Sequence, residues 1–141
     1  MKQLSTGEII KWLQPWPIDL TRKDRRDKQW ELRIESLNDA SDYYYCFGAL
    51  SRATTIHDVA TKLKLSIDKE LPDPLGGRGH YVEMLARDYV PTMRSLTIVV
   101  DRKYKLWRVI DGNHRSLACL LARMQKRPLQ IKAIGVVREC L

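Results

Sequence analysis

The segment 106–124 constrains this chain most, because a short apolar run is followed there by Asp-Gly-Asn-His-Arg-Ser and then by an amphipathic stretch. The run Leu-Trp-Arg-Val-Ile is typical of a strand, and the apolar positions up to Met124 recur at helical spacing. Gly112 permits a turn that a residue with a β-carbon resists. The segment therefore predicts a strand, a tight turn and a helix that begins near His114.

The predicted turn has the chemistry of a phosphate-binding site. A helix start presents unpaired backbone N–H groups and the positive end of the helix dipole, and both stabilise an anion. Arg115 adds a permanently charged guanidinium group, and His114 can donate to a phosphoryl oxygen or relay a proton. Asp111 can act as a general base or hold a metal ion or a substrate hydroxyl. The phosphate-binding and catalytic predictions for this turn cover Asp111, Gly112, Asn113, His114, Arg115 and Ser116.

A purely structural interpretation of the same turn stays open. Asp111 would then cap the helix or pair with Arg115, and His114 would lie on the surface of the first helical turn. The functional interpretation is favoured because the turn lies between a buried strand and an amphipathic helix, within the most basic part of the chain.

The sequence around this turn predicts a small α+β module. Leu96–Val100 is uncharged and rich in β-branched residues, which favours a buried strand antiparallel to the strand that ends at Ile110. A helix is predicted over His80–Val90, where Pro91 ends it, and a closing strand over Leu129–Val137. The predicted order is therefore helix, strand, strand, helix, strand.

Three helices are predicted in the first half of the chain. Ser5–Leu13 begins with a capping-box pattern and stops before Pro15, and the helix that Thr55 begins has Asp58 at the capping position. Residues 24–37 carry apolar side chains at helical spacing. The mixed charges at the start of this segment indicate a solvated helix face rather than a nucleic-acid contact.

A loop is predicted over residues 72–79, where two prolines and three glycines leave little regular structure. The loop divides the chain into a helical N-terminal part, residues 1–75, and a nucleotide-binding module, residues 76–141. The first part is expected to pack on the module or to lead into it.

Positive charge is concentrated at the end of the sequence. The chain has a formal net charge of +8, and residues 101–141 hold ten basic and three acidic side chains. Such a local field favours a nucleotide, a nucleic acid or a membrane surface as partner, although a solubilising surface has the same composition. Contacts to a nucleic-acid backbone are predicted for Lys103, Lys105, Arg108, Arg123, Lys126, Arg127 and Lys132.

The sequence predicts a protein of the cytoplasm that does not bind to a membrane. A run of about 18 apolar residues, which a transmembrane helix needs, is missing. The N-terminus also lacks the pattern of a secretory signal. Cys46, Cys119 and Cys140 form no CxxC pair, which favours reduced thiols.

Residues 80–138 resemble the ParB/sulfiredoxin-like superfamily. The resemblance rests on a helix that ends before a proline, two apolar strands, the motif DGNHR at 111–115, an alanine-containing helix and a closing strand, in that order. Among the forms that this motif takes in the superfamily, DGNHR is nearest to that of the free serine kinases. The resemblance implies an α+β fold of this type, with a turn and a helix that bind nucleotide phosphates.

The same resemblance implies an activity and a cofactor. The chain would hydrolyse or transfer the terminal phosphoryl group of ATP, ADP or CTP, with Mg²⁺ bridging the phosphates and Asp111 as its ligand. Free serine kinases use an upstream carboxylate as base, and the candidates here are Glu83, Asp73 and Glu70. Sulfiredoxins have a catalytic cysteine where this chain has Asn113, so sulfinic-acid reduction by that route is not expected.

Two other functions stay open at this point. The first is DNA or RNA binding, with or without the activity described for ParB-like nucleases, and it is suggested by the basic segment 101–141. The second is a catalytically inactive interaction module, in which the helical first half would contact a protein partner.

Overall fold

One mixed sheet organises the fold in the computed structural model, which describes residues 20–47, 54–131 and 133–141. Its strands are β1 (Trp30–Glu35), β2 (Thr97–Lys103), β3 (Leu106–Asp111) and β4 (Ile134–Glu139). The strand order is β1-β4-β2-β3. Strand β4 is antiparallel to β1 and parallel to β2, whereas β2 and β3 form an antiparallel pair.

The helices of the described residues lie between β1 and β2 and between β3 and β4 in the chain. They are α1 (Leu37–Ala40), α2 (Ile56–Asp68), α3 (Arg78–Met84) and α4 (Asn113–Met124). Helix α3 continues into a π-helical turn over Leu85–Tyr89 and a 3₁₀ turn over Val90–Thr92. Within the ranges described, no helix is long and apolar enough to cross a membrane.

The main core lies between one face of the sheet and the three longer helices. Ile98, Val100 and Val136 from the sheet are in the same buried cluster as Val59 of α2 and Leu117 of α4. Helix α4 is buried along most of its length, because its apolar residues recur at helical spacing and face both the sheet and α2.

The segment before β1 closes the other face of the sheet. A smaller cluster of Leu32, Val99 and Val137 lies there, and Leu20 packs against it. The Trp30 indole Nε1 donates a hydrogen bond to the backbone oxygen of Arg25 at 3.0 Å. This packing brings residues 20–28 toward the end of β3, where the predicted functional turn begins.

The sequence prediction is confirmed for class and for the order of the elements in the second half, although the closing strand predicted over Leu129–Val137 begins at Ile134 and ends at Glu139. The protein is α+β, and the strands, the turn and the helix around Gly112 occur in the predicted order. Helix α2 begins after Thr55 as expected, and residues 74–77 form turns within the predicted loop. The helix predicted over Ser5–Leu13 lies outside the described residues.

The helix predicted over residues 24–37 is wrong. Residues 20–28 form turns, and the following residues form strand β1, which pairs with β4 along its whole length. The described N-terminal part is therefore not mostly helical, since it supplies an edge strand to the same sheet as the second half. The division at residue 75 stays a prediction.

We expect Thr55→Ala to lower the free energy of unfolding by about 1 kcal/mol. The Thr55 hydroxyl accepts a hydrogen bond from the backbone N–H of Asp58 at 3.2 Å and so caps α2. Urea denaturation followed by tryptophan fluorescence measures the loss. Thr61→Ala is the matched control, because Thr61 is exposed in the same helix and its hydroxyl only donates to the carbonyl of His57. Equal losses in the two variants would contradict the capping role.

Candidate functional site

The turn between β3 and α4 depends on a glycine. Gly112 has φ +86°, a conformation that residues with a side chain rarely adopt. A β-carbon there would lie 3.0 Å from Ile98 Cγ2 and 3.1 Å from the backbone oxygen of Thr97. Gly112 therefore lets the chain turn sharply while it stays in close contact with β2, and this contact positions the start of α4.

Asn113 and Ser116 face the interior of the protein, although the sequence predicted them to bind phosphate. The Asn113 side-chain amide donates to the backbone oxygen of Val109 at 2.7 Å and accepts from the backbone N–H of Cys46 at 3.3 Å. The Ser116 hydroxyl donates to the backbone oxygen of Asn113 at 3.0 Å. Both side chains are buried and hold the turn together, so only the backbone of Asn113 can serve a ligand.

Asp111 is held between two guanidinium groups. Its Oδ2 accepts from Arg25 Nη1 at 3.1 Å, and its Oδ1 accepts from Arg115 Nη2 at 3.3 Å. The side chain of Asp111 is 31% exposed, whereas that of Arg25 is 2% exposed. Because both carboxylate oxygens accept from guanidinium groups, Asp111 acts as a counter-ion in this structure rather than as an unengaged base.

Arg25 is a site residue that the sequence analysis missed. Its segment carries mixed charges and was interpreted as a solvated helix face, yet the structure buries this side chain against the end of β3. The contact joins residues 86 positions apart, and a local charge pattern gives no signal for such a pairing.

His114 lies against aromatic side chains. Its ring stacks on Phe47 with centroids 5.5 Å apart and meets Tyr81 edge-on at 5.7 Å. Arg78 lies over the Phe47 ring, 5.3 Å from its centroid. Burial, together with the positive charge of Arg78, lowers the pKa of the His114 imidazole below its ordinary value. The ring is therefore mainly neutral at about pH 7.

Phe47 reaches this position because the chain before it runs beside β3. The backbone N–H of Tyr44 donates to the oxygen of Trp107, and the N–H of Val109 donates to the oxygen of Tyr44, both at 2.9 Å. The hydrogen bond from Cys46 to Asn113 continues this contact toward α4. A backbone pairing of this kind cannot be derived from the composition of residues 43–47.

These groups line a pocket of about 310 Å³ at the start of α4. Its lining residues are Arg22, Arg25, Phe47, Tyr81, Leu85, Ile110, Asp111, Gly112, Asn113, His114 and Arg115. The first backbone N–H groups of α4 lie at this pocket, and the carbonyl of Gly112 accepts from the N–H of Ser116 at 2.9 Å. A larger groove of about 660 Å³ near Trp107 mixes acidic and basic side chains and includes Ser36, which caps the short helix α1.

The three upstream carboxylates do not line this pocket. Glu70, Asp73 and Glu83 lie around a different pocket of about 360 Å³, together with His80. Asp73 also accepts the backbone N–H groups of Gly77 and Gly79, both at 3.0 Å, and so stabilises the start of α3. The structure therefore does not bring Glu83 together with Asp111 and His114, as its predicted catalytic role requires.

Three of the residues predicted to contact nucleic acid already have partners within the protein. Arg108 donates to both oxygens of Asp101, at 2.7 and 3.1 Å, and these bonds raise the pKa of Arg108. Arg123 donates to Asn38, and Arg127 to Gln125. The exposed basic groups in this set are Lys103, Lys105, Arg123 and Lys126, while Lys132 lies outside the described residues.

The pocket does not fit a magnesium ion held by the protein. Asp111 is the carboxylate in its described lining, and both of its oxygens accept from arginines. Magnesium prefers oxygen ligands, and two adjacent guanidinium groups would repel it. No group of three metal-ligating side chains occurs in the ranges that the structure describes. The predicted role of Asp111 as a metal ligand is therefore not supported by its surroundings.

No protein-family model matches the chain, and searches of curated proteins and of solved structures gave no significant match either. The resemblance to the ParB/sulfiredoxin-like superfamily therefore rests on the motif DGNHR and on the order of the surrounding elements.

Proposed function

We propose that this protein binds a nucleotide and holds its terminal phosphate in the pocket at the start of α4, as the resemblance to the ParB/sulfiredoxin-like superfamily implies. The observation that carries the proposal is the convergence of Arg25, Arg115 and the first backbone N–H groups of α4 on one pocket. Guanidinium groups and helix N-termini are both favourable partners for phosphate oxygens.

Arg115 is the side chain best placed to exchange its present partner for a phosphate. Burial lowers the pKa of its guanidinium group, and the carboxylate of Asp111 acts in the opposite direction. The group stays protonated, because an arginine does not lose its proton at physiological pH. An incoming phosphate would stabilise this partly desolvated charge and would accept a bidentate pair of hydrogen bonds.

Hydrolysis or transfer of the terminal phosphoryl group is the second step of the proposal. It needs a group that accepts a proton from the attacking water or hydroxyl. His114 lines the pocket, and its lowered pKa keeps the imidazole neutral and able to accept that proton. We assign this role to His114 rather than to Glu83 or Asp111, since Glu83 lines another pocket and Asp111 is paired with two arginines.

We expect Arg115→Gln to weaken nucleotide binding at least about tenfold, because a charge-assisted hydrogen bond contributes about 1.5–3 kcal/mol. Isothermal titration of ATP, ADP and CTP, each with and without Mg²⁺, measures the affinities. Release of inorganic phosphate in the same samples tests the chemical step.

The matched control is Arg123→Gln at the other end of the same helix. Arg123 is exposed and contacts Asn38, so its loss removes the same charge without touching the pocket. Unchanged affinity in Arg115→Gln, or an equal loss in both variants, would contradict the proposed site. Failure of the wild-type protein to bind any of these nucleotides would refute the proposed function.

A further inference from the structure

The lining of the pocket at the start of α4 has two chemically different parts. Arginine side chains and the first backbone N–H groups of α4 form the part that suits a phosphate. The other part is uncharged, because Phe47, Tyr81 and Leu85 line the same pocket beside the ring of His114. A site for a phosphate group alone gains little from exposed aromatic surface. The lining therefore indicates a ligand that carries both an anionic group and a flat apolar group.

Tyr81 is the ring in this lining with the most accessible surface. It is 51% exposed, compared with 37% for Phe47. The Tyr81 ring meets His114 edge-on, with the two planes 85° apart. Phe47 already stacks on His114 and contacts the guanidinium group of Arg78. Half of Tyr81 is therefore uncovered at the pocket, whereas Phe47 is more fully occupied by contacts within the protein.

Helix α3 holds Tyr81 beside the phosphate-binding residues. Tyr81 and Leu85 are four residues apart and lie on the same side of α3 and its π-helical continuation. Val82, the next residue, is fully buried in the main core and anchors this helix. Burial lowers the pKa of the Arg115 guanidinium group, whereas Asp111 and Tyr81 act in the opposite direction, as expected for groups close to it. Tyr81 thus lies near the arginine to which the phosphate is assigned.

We propose that Tyr81 stacks on the base of the bound nucleotide and so makes the pocket select nucleotides over phosphates that have no base. The inference rests on the proposed nucleotide site and assigns the contact that recognises the base. Every base has a π-face, so stacking on an aromatic side chain favours nucleotides as a class without selecting one of them. The neighbouring Leu85 adds apolar contact to the same wall.

The test measures how the ring at position 81 affects ligands with and without a base. Isothermal titration in the absence of Mg²⁺ compares ADP and ATP with pyrophosphate and tripolyphosphate. We expect Tyr81→Leu to weaken the binding of ADP and ATP at least about fivefold, which is the lower end of the effect of removing one stacking contact. The same variant should leave the affinities for pyrophosphate and tripolyphosphate unchanged. Tyr81→Phe should keep the wild-type affinities for all four ligands, because it keeps the ring.

Tyr89→Leu is the matched control. Tyr89 lies in the π-helical continuation of α3, is 43% exposed and is not among the described residues that line the pocket. The same replacement there should change none of the four affinities.

The outcomes separate the inference from the proposed function. If the wild-type protein binds ADP or ATP and Tyr81→Leu has no effect, the inference is overturned and the nucleotide site stands. Equal weakening of all four ligands would give Tyr81 a structural role and would also overturn the inference. If the wild-type protein binds neither nucleotide, the proposed function fails together with the inference.

Discussion

We expect Gly112→Ala to lower the free energy of unfolding by about 2–4 kcal/mol, because left-handed backbone strain adds to a steric clash. At φ +86° an alanine is strained in any surroundings. Its β-carbon would also lie 3.1 Å from the backbone oxygen of Thr97, which cannot move aside without disturbing β2. Urea denaturation measures the loss, and nucleotide titration should show weakened binding in the same variant because the start of α4 is displaced.

Gly76→Ala separates the two causes. Gly76 also has a positive φ, +59°, but a β-carbon there would meet nothing within 4 Å. We therefore expect a loss of about 1–2 kcal/mol from backbone strain alone and no change in nucleotide affinity. Equal losses of stability in the two variants would show that Gly112 does not need its close contact with β2.

The elements around Gly112 could be predicted because their signals are local. An uncharged run rich in β-branched residues became β2, and the glycine turn between β3 and α4 occurs where the sequence indicated it. Each of these signals lies within a window of about ten residues. The antiparallel pairing of β2 with β3 follows from the short connection between them.

Strand β1 was missed because two periodicities compete in the same residues. Trp30, Ile34 and Leu37 have helical spacing, but Trp30, Leu32 and Ile34 alternate as in a strand. Pairing with β4 stabilises the strand rather than the helix. Strand β4 lies about a hundred residues later and pairs with β1 from Trp30↔Glu139 to Glu35↔Ile134. The residues before β1 were also misassigned. Their burial depends on the sheet face that they cover, and a local pattern does not show that face.

The sequence predicted only the part of the candidate site that the motif at residues 111–115 supplies. The motif at 111–115 lies at the pocket, but the two groups that complete it, Arg25 and Phe47, come from segments far away in sequence. Their positions depend on a buried ion pair and on a backbone pairing beside β3. The chemical roles of the motif residues were also misjudged where burial decides them. Asn113 is the clearest case, because its amide is engaged by backbone groups of Val109 and Cys46, and Cys46 lies 67 residues away in sequence.

Replacing Asn113 with alanine should lower the free energy of unfolding by about 2–4 kcal/mol, since one buried and one partly buried backbone group lose their partner at about 1–3 kcal/mol each. These groups are the carbonyl of Val109 and the N–H of Cys46. The second of them holds the segment that carries Phe47 onto His114, so the pocket should lose its aromatic wall as well. A residue that only bound phosphate would show the opposite result, with weaker binding and unchanged stability.

Asn38→Ala is the control for this prediction. Asn38 is an exposed amide whose oxygen accepts from Arg123, and its loss should change stability by less than about 0.5 kcal/mol. Urea denaturation of both variants measures the difference, and nucleotide titration below the transition separates folding from binding. If Asn113→Ala were as stable as Asn38→Ala and failed only in binding, Asn113 would be a direct ligand of the phosphate. If Asn113→Ala loses more stability than Asn38→Ala, Asn113 is a structural residue of the pocket. If it loses only binding, Asn113 contacts the phosphate directly.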